Sequence, residues 1–94
     1  MGLVSGSEIE QRLSRLEGWR LSQAGELERE FKLADFASAL AFVGEVGELA
    51  ERANHHPDIL LHGWNKVRLT LSTHSEGGLT EADFSLAGEI DRRS

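Results

Sequence analysis

The sequence predicts an α+β fold, a two-layer sandwich in which a four-stranded antiparallel sheet carries its helices on one face, in the order α-β-β-α-β-β-α. Three observations carry that expectation. Val67, Leu69 and Leu71 alternate with Lys66, Arg68, Thr70 and Ser72, the period of a strand with one buried and one wet face. Leu27, Phe31 and Leu33 alternate in the same way with Glu28, Glu30 and Lys32. Between these runs, apolar residues from Phe36 to Ala50 recur at helical spacing. The connections are short throughout, which favours antiparallel neighbours over crossovers.

Taken in order, Ser7 with Glu10 reads as a capping box, and Ile9, Leu13 and Leu16 follow on one face, so a first helix is expected from Ser7 to Leu16. Gly18 stops it. Trp19 to Leu21 and Leu27 to Leu33 are expected as strands around Gln23-Ala24-Gly25. Asp35 caps the second helix, whose face is expected to be Phe36, Leu40, Val43 and Ala50, broadened by Phe42, Val46 and Leu49. Gly44 and Gly47 lie inside it at a cost of up to about 1 kcal/mol each, which points to close packing against the sheet or a partner. The helix is expected to end near Asn54. Ile59 to Leu61, a turn at His62-Gly63 and a strand from Trp64 to Ser72 come next, followed by a loop from Thr73 to Gly78. Thr80 caps the last helix with Asp83 three residues on, Leu79 and Phe84 form a staple, and Phe84, Ala87 and Ile90 make the buried stripe.

Ninety-four residues are expected to form a single domain, 1–94, burying roughly 60 to 65% of the surface of the unfolded chain. The formal charge of -6, with no basic run longer than Arg92-Arg93, argues against direct binding to a phosphate backbone. Cysteine is absent, which removes disulfides, thiolate metal sites and a cysteine nucleophile. No targeting signal or membrane-spanning run is present, so a cytoplasmic location with no membrane association is expected.

The chemistry concentrates around Glu51-Arg52-Ala53-Asn54-His55-His56-Pro57-Asp58. Proline disfavours α conformation in the residue before it, so two adjacent imidazoles sit where helix gives way to extended chain, need not diverge as they would on a regular element, and are expected to aim into one space. His74 follows the clearest strand, and pairing of that strand with the one starting near Asp58 brings His74 to the same end of the sheet. Imidazoles both give and accept protons near neutral pH, which suits an acid-base site. Glu51, one turn before His55, is placed to orient a ring or to be a solvated helix-end charge. His62, at a hairpin tip, is read as a surface residue. A three-histidine zinc site is the competing reading, but adjacent histidines lack the usual ligand spacing, and no metal is expected. No phosphate-binding glycine loop or nucleophile elbow occurs.

Glu51-x-x-Asn54-His55-His56-Pro57, then Trp64-Asn65-Lys66-Val67 running to Leu71-Ser72-Thr73-His74, then Gly77-Gly78-Leu79-Thr80-x-x-Asp83, resembles the pterin-4a-carbinolamine dehydratases over Phe31 to Ile90. The resemblance implies an antiparallel four-stranded sheet with helices on one side and dehydration of 4a-hydroxytetrahydrobiopterin to quinonoid dihydropterin, without a metal or organic cofactor. It also implies that His55, His56 and His74 are the active-site histidines, that Pro57 is a fixed turn, and that Glu51 and Asp83 are accompanying carboxylates. Asn54 stands where some members have Asp, Ile59 where animal members have Trp, and Ala82 where they have Arg. His56 and His74 are expected to share the proton exchange, with His55 binding or polarising. The implied partners are a reduced pterin and further copies of the chain in a dimer or tetramer. The alternatives are a dimerisation or regulatory module of the same fold, since animal members also bind the dimerisation helix of a transcription factor, or a dehydratase of another pterin.

Overall fold

The computed structural model describes residues 2–93, and the order α-β-β-α-β-β-α is observed, in an open α+β arrangement. The elements are α1 (Gly6–Leu13), β1 (Arg20–Leu21), β2 (Leu27–Lys32), α2 (Phe36–Ala53), β3 (Asp58–His62), β4 (Lys66–Leu71) and α3 (Glu81–Arg93), with a 3-10 turn at His74–Glu76. The sheet is antiparallel in the spatial order β1-β2-β4-β3, so β4 lies at its centre and β3 is an edge.

Strand register separates the two faces. Leu27, Phe31, Val67, Leu69 and Leu71 share one parity and are buried beneath the helices. Glu28, Glu30, Lys32, Lys66, Arg68 and Thr70 share the other and form the open face. On α2 the buried residues are Ala39, Phe42, Val46, Leu49 and Ala50, whereas Phe36 and Leu40 are half exposed. The expected face was therefore rotated: a helix apolar nearly all round does not reveal which side meets the sheet, and the sheet selects Phe42 and Val46. Gly44 and Gly47 do not mark close packing within this chain, because a Cβ at either would meet nothing within 4 Å.

Three other boundaries differ from expectation. Ser5, not Ser7, caps α1, accepting from the Glu8 amide at 3.4 Å, and the helix ends at Leu13. β1 is only two residues long and Trp19 lies before it, buried edge-on against Phe31 with its indole N–H donating to Asp91 at 2.8 Å. Arg29 donates to the same carboxylate oxygen at 2.7 Å, tying the sheet to α3. Gly18 is required beside this group, since its φ is +78° and a Cβ would come within 2.7 Å of Arg29 Nε. The β3-β4 turn runs over three residues between the paired His62 and Lys66, with Gly63 and Trp64 both at positive φ, 55° and 59°. Trp64 accepts that strain because Asn65 is locked behind it: its backbone accepts from Leu33 N at 2.8 Å, and its side chain donates to Leu33 O at 3.0 Å.

On the open face His62, Glu30 and Arg68 form an ionic cluster. His62 Nε2 lies 2.6 Å from Glu30 Oε1, and Arg68 approaches the same oxygen at 3.3 Å. The hydrogen bond from His62, with lesser help from its charge and that of Arg68, holds the Glu30 carboxyl below the usual carboxylate range. A depressed folded-state pKa stabilises the fold above the unfolded value near 4.5 and ceases to do so as pH falls through the folded value. Glu30→Gln is accordingly expected to lower the melting temperature near neutral pH and to leave it unchanged well below pH 4.5, as read by thermal melts across pH.

Candidate functional site

The site begins where α2 stops. Asn54 adopts the left-handed conformation, φ 50° and ψ 43°, the residue type after glycine best suited to it. Its amide donates to Glu51 O at 3.2 Å, and the His55 amide donates back to Ala50 O at 3.1 Å. That pair of bonds is a Schellman motif, so the helix is terminated by Asn54 three residues ahead of Pro57, and His55 leaves it in a defined direction. Asn54 is thereby accounted for by backbone geometry.

The two neighbouring imidazoles do not aim into one space as expected, because the left-handed Asn54 sends His55 inward to a buried carboxylate while His56 faces out to Glu51. His55 turns inward, only 14% exposed, with Nε2 at 2.5 Å from Oδ1 of the wholly buried Asp83. Asp83 sits in the first turn of α3, and its Oδ2 accepts from the Thr80 amide at 2.9 Å and from the Thr73 hydroxyl at 2.8 Å. Thr73 and Thr80 also join through their hydroxyls at 2.8 Å. The expected link between Thr80 and Asp83 is present as the return half of a capping box, with the Thr80 hydroxyl turned to Thr73. A carboxylate that already accepts two hydrogens accepts a third from His55, which assigns a ring hydrogen to Nε2 and, in the neutral ring, leaves Nδ1 as an acceptor.

His56 turns outward, 58% exposed, with Nε2 at 2.6 Å from Glu51 Oε2. It lines a cleft of about 520 Å³ together with Gly47, Ala50, Glu51, Pro57 and Ile59, a volume within the usual range for a small-molecule site. Of the three histidines singled out in the sequence, the cleft is lined by His56 alone. The last rung of the β3-β4 ladder pairs Asp58 with Thr70, which sets Pro57 and the Ser72-Thr73-His74 run at one end of the sheet. His74 is exposed and opens the 3-10 turn directly after Thr73, the residue bonded to Asp83. Asp83 thus links the residues at the end of α2 to the loop after β4. Among the described residues no three His, Asp or Glu side chains gather as a group able to hold a metal ion.

Thr73 and Thr80 were not singled out for the site from the sequence, although each adjoins a residue that was. Thr73 precedes His74, and Thr80 lies at capping distance from Asp83. Their convergence on one carboxylate depends on the isolated bridge between Thr73 and Gly78, which folds the intervening loop back on itself.

Comparison with known proteins finds similarity over nearly the whole chain. The family described as Pterin 4 alpha carbinolamine dehydratase matches residues 3–93. A relative from Acidobacterium capsulatum with a provisional pterin-4-alpha-carbinolamine dehydratase name is 52% identical over 91 residues, covering 97% of each chain. One from Roseiflexus castenholzii, named likewise, is 53% identical over 89 residues, 95% of this chain and 94% of the relative. Among solved structures, a transcriptional coactivator/pterin dehydratase from Brucella melitensis superimposes with a TM-score of 0.91 at 34% identity over 97% of each chain. A pterin dehydratase-like protein identified as a RuBisCO assembly factor in the alpha-carboxysome gives 0.67 at 27% identity, covering 81% of this chain and 88% of that one. Continuous matching from residue 3 to residue 93, with half the positions identical in relatives of the same length, places this chain in the pterin 4 alpha carbinolamine dehydratase family.

Proposed function

We propose that the chain is a hydro-lyase that dehydrates 4a-hydroxytetrahydrobiopterin to quinonoid dihydropterin, acting in the cytoplasm as a single domain in the recycling of tetrahydrobiopterin. The observation that carries this reading is the pair of histidine-carboxylate couples flanking the Schellman turn, His55 with Asp83 and His56 with Glu51. In the reaction the C4a hydroxyl takes up a proton and leaves as water, N5 gives up its proton, and the N5 lone pair forms the new double bond to C4a. His56 and His74 share that exchange: one imidazolium protonates the leaving oxygen while a neutral ring relieves N5. His55, held by Asp83, binds or polarises the pterin, and Pro57 and Asn54 set the backbone that presents both rings. The exposed Glu51 keeps the His56 ring turned along the cleft wall.

The test generates the 4a-carbinolamine in situ and follows its dehydration. His56→Ala is expected to slow the catalysed rate by about a hundredfold, the lower end for an acid-base group, because water can reach so exposed a position. Equal rates with and without the wild-type protein would overturn the assignment.

A second reading, a self-associating or regulatory module, is favoured by one observation. Phe36 and Leu40 are half exposed on α2, one turn apart, and the open Gly44 continues their row. The same face would serve a dimeric or tetrameric enzyme. Light scattering over graded concentration reads this, and a strict monomer would count against both the module and the oligomeric enzyme.

A further inference from the structure

The loop that carries His74 is held from a direction that the reaction does not use. Between β4 and α3 the chain folds back through the Thr73-Gly78 bridge, with Thr73 N donating to Gly78 O at 2.9 Å. Just beyond the bridge, Leu79 O accepts from Val4 N at 2.9 Å, a backbone bond joining the N-terminal segment to the residue before the Thr80 cap. Leu3 lies over the loop at the same place: a Cβ on Gly78 would stand 3.1 Å from Leu3 Cδ2. Val4 itself packs against the core, and Ser5 begins α1, which Arg12 pins to Glu81 at the start of α3. The contacts therefore run without a gap from Leu3 and Val4, through Gly78 and Leu79, to Thr73 and Thr80, to Asp83, to His55.

We propose that Leu3 and Val4 form a strap that holds the Thr73–Thr80 loop closed on Asp83 and so act as positioning residues for His55 and His74. The proposal rests on the histidine site proposed above. Its physical basis is that the other backbone bonds of the loop, from Thr73 N to Gly78 O at 2.9 Å and from Glu76 N and Gly77 N to Thr73 O at 3.0 Å, are internal to it. Ser75, Glu76 and Gly77 are exposed, and the Gly78 amide returns to Thr73 O at a long 3.4 Å. A single well-formed bond to Leu79, placed next to the helix cap, biases the loop toward the geometry in which both threonines reach the carboxylate.

Val4→Pro removes the donating N–H, and Leu3→Ala removes the cover over Gly78 while keeping every backbone bond. In Val4→Pro, amide exchange at Thr73 and Gly78 is expected to quicken by about fivefold, the shift that losing one ordinary hydrogen bond permits, while exchange at Val67 and Leu69 in β4 stays as in the wild type. The His55 Nε2 proton resonance should broaden or move, and kcat should fall with KM little changed. Leu3→Ala should move each readout in the same direction by a smaller factor. Wild-type exchange at Thr73 and Gly78 together with an unmoved His55 resonance in both variants would overturn the strap. If exchange and the His55 resonance respond while the wild type shows no dehydration, the strap stands and the reaction assigned to the site falls.

Discussion

Asp83→Asn is expected to lower the dehydration rate by about a thousandfold and to cost about 2 kcal/mol of stability, because three hydrogens converge on one buried carboxylate. The Thr80 amide is an obligate donor to it and approaches at 2.9 Å, the Thr73 hydroxyl at 2.8 Å and His55 Nε2 at 2.5 Å. An asparagine amide supplies one acceptor oxygen and sets an NH2 group in place of the other. Left toward the helix cap, the oxygen satisfies Thr80 and Thr73, and the NH2 then faces His55. The imidazole meets it only by moving its hydrogen from Nε2 to Nδ1, which reverses what the ring offers to a substrate. Turned the other way, the oxygen keeps His55 in its native form and leaves the Thr80 amide against a donor in the interior, a loss of the usual size for a buried unsatisfied group. Nitrogen NMR of the His55 ring, steady-state rates and thermal melts read the three consequences separately. A ring that keeps its Nε2 hydrogen, in a variant with wild-type rate, would show that Asp83 does not orient His55.

The second large effect is in the sheet. Leu69→Ala is expected to destabilise the fold by about 3 to 5 kcal/mol, since β4 is the central strand and Leu69 is completely buried between Arg29 on β2 and Ile59 on β3. The neighbouring Val67 and Leu71 are equally buried in the same strand, so little can relax into the space left behind. For a domain of this size, whose whole stability is expected at about 5 to 14 kcal/mol, that loss lowers the melting temperature by roughly 15 °C or more. Leu60→Ala provides the contrast. Leu60 is one residue from Ile59 in β3 but of opposite parity, it is 49% exposed, and its replacement in the monomer should cost less than about 0.5 kcal/mol. Urea titrations of the two variants measure the difference, and equal midpoints would contradict the assignment of the buried face.

What could be read in advance follows the range of the forces involved. The α+β order was legible because strand and helix periods differ, and β2, α2 and β4 each express their period over at least six residues. The histidine pair and Asp83 were legible as residue types in a spaced pattern. Boundaries set by competition were not. Ser5 with Glu8 and Ser7 with Glu10 are equivalent capping patterns two residues apart, and the choice between them coincides with a contact to Leu79, far along the chain. The end of α2 near Asn54 is legible in the sequence, but it is set by the left-handed Asn54 and not by Pro57, because sequence shows that asparagine tolerates such a conformation and not that it adopts it here.

By itself the sequence determined the order of the secondary-structure elements, the alternation that divides the sheet into a buried and an open face, and the presence of histidines and carboxylates in a spaced pattern, all of them properties of neighbours a few positions apart. Tertiary structure decided which side of α2 is buried, that His55 turns inward to Asp83 while His56 turns out to Glu51, and that Thr73 and Thr80 complete the carboxylate's hydrogen bonds. The pairing of His55 with Asp83 and of Thr73 with both Asp83 and Thr80 depends on partners brought together by the fold, His55 and Asp83 being 28 positions apart, and local preference carries no information about which distant group will satisfy a buried polar atom.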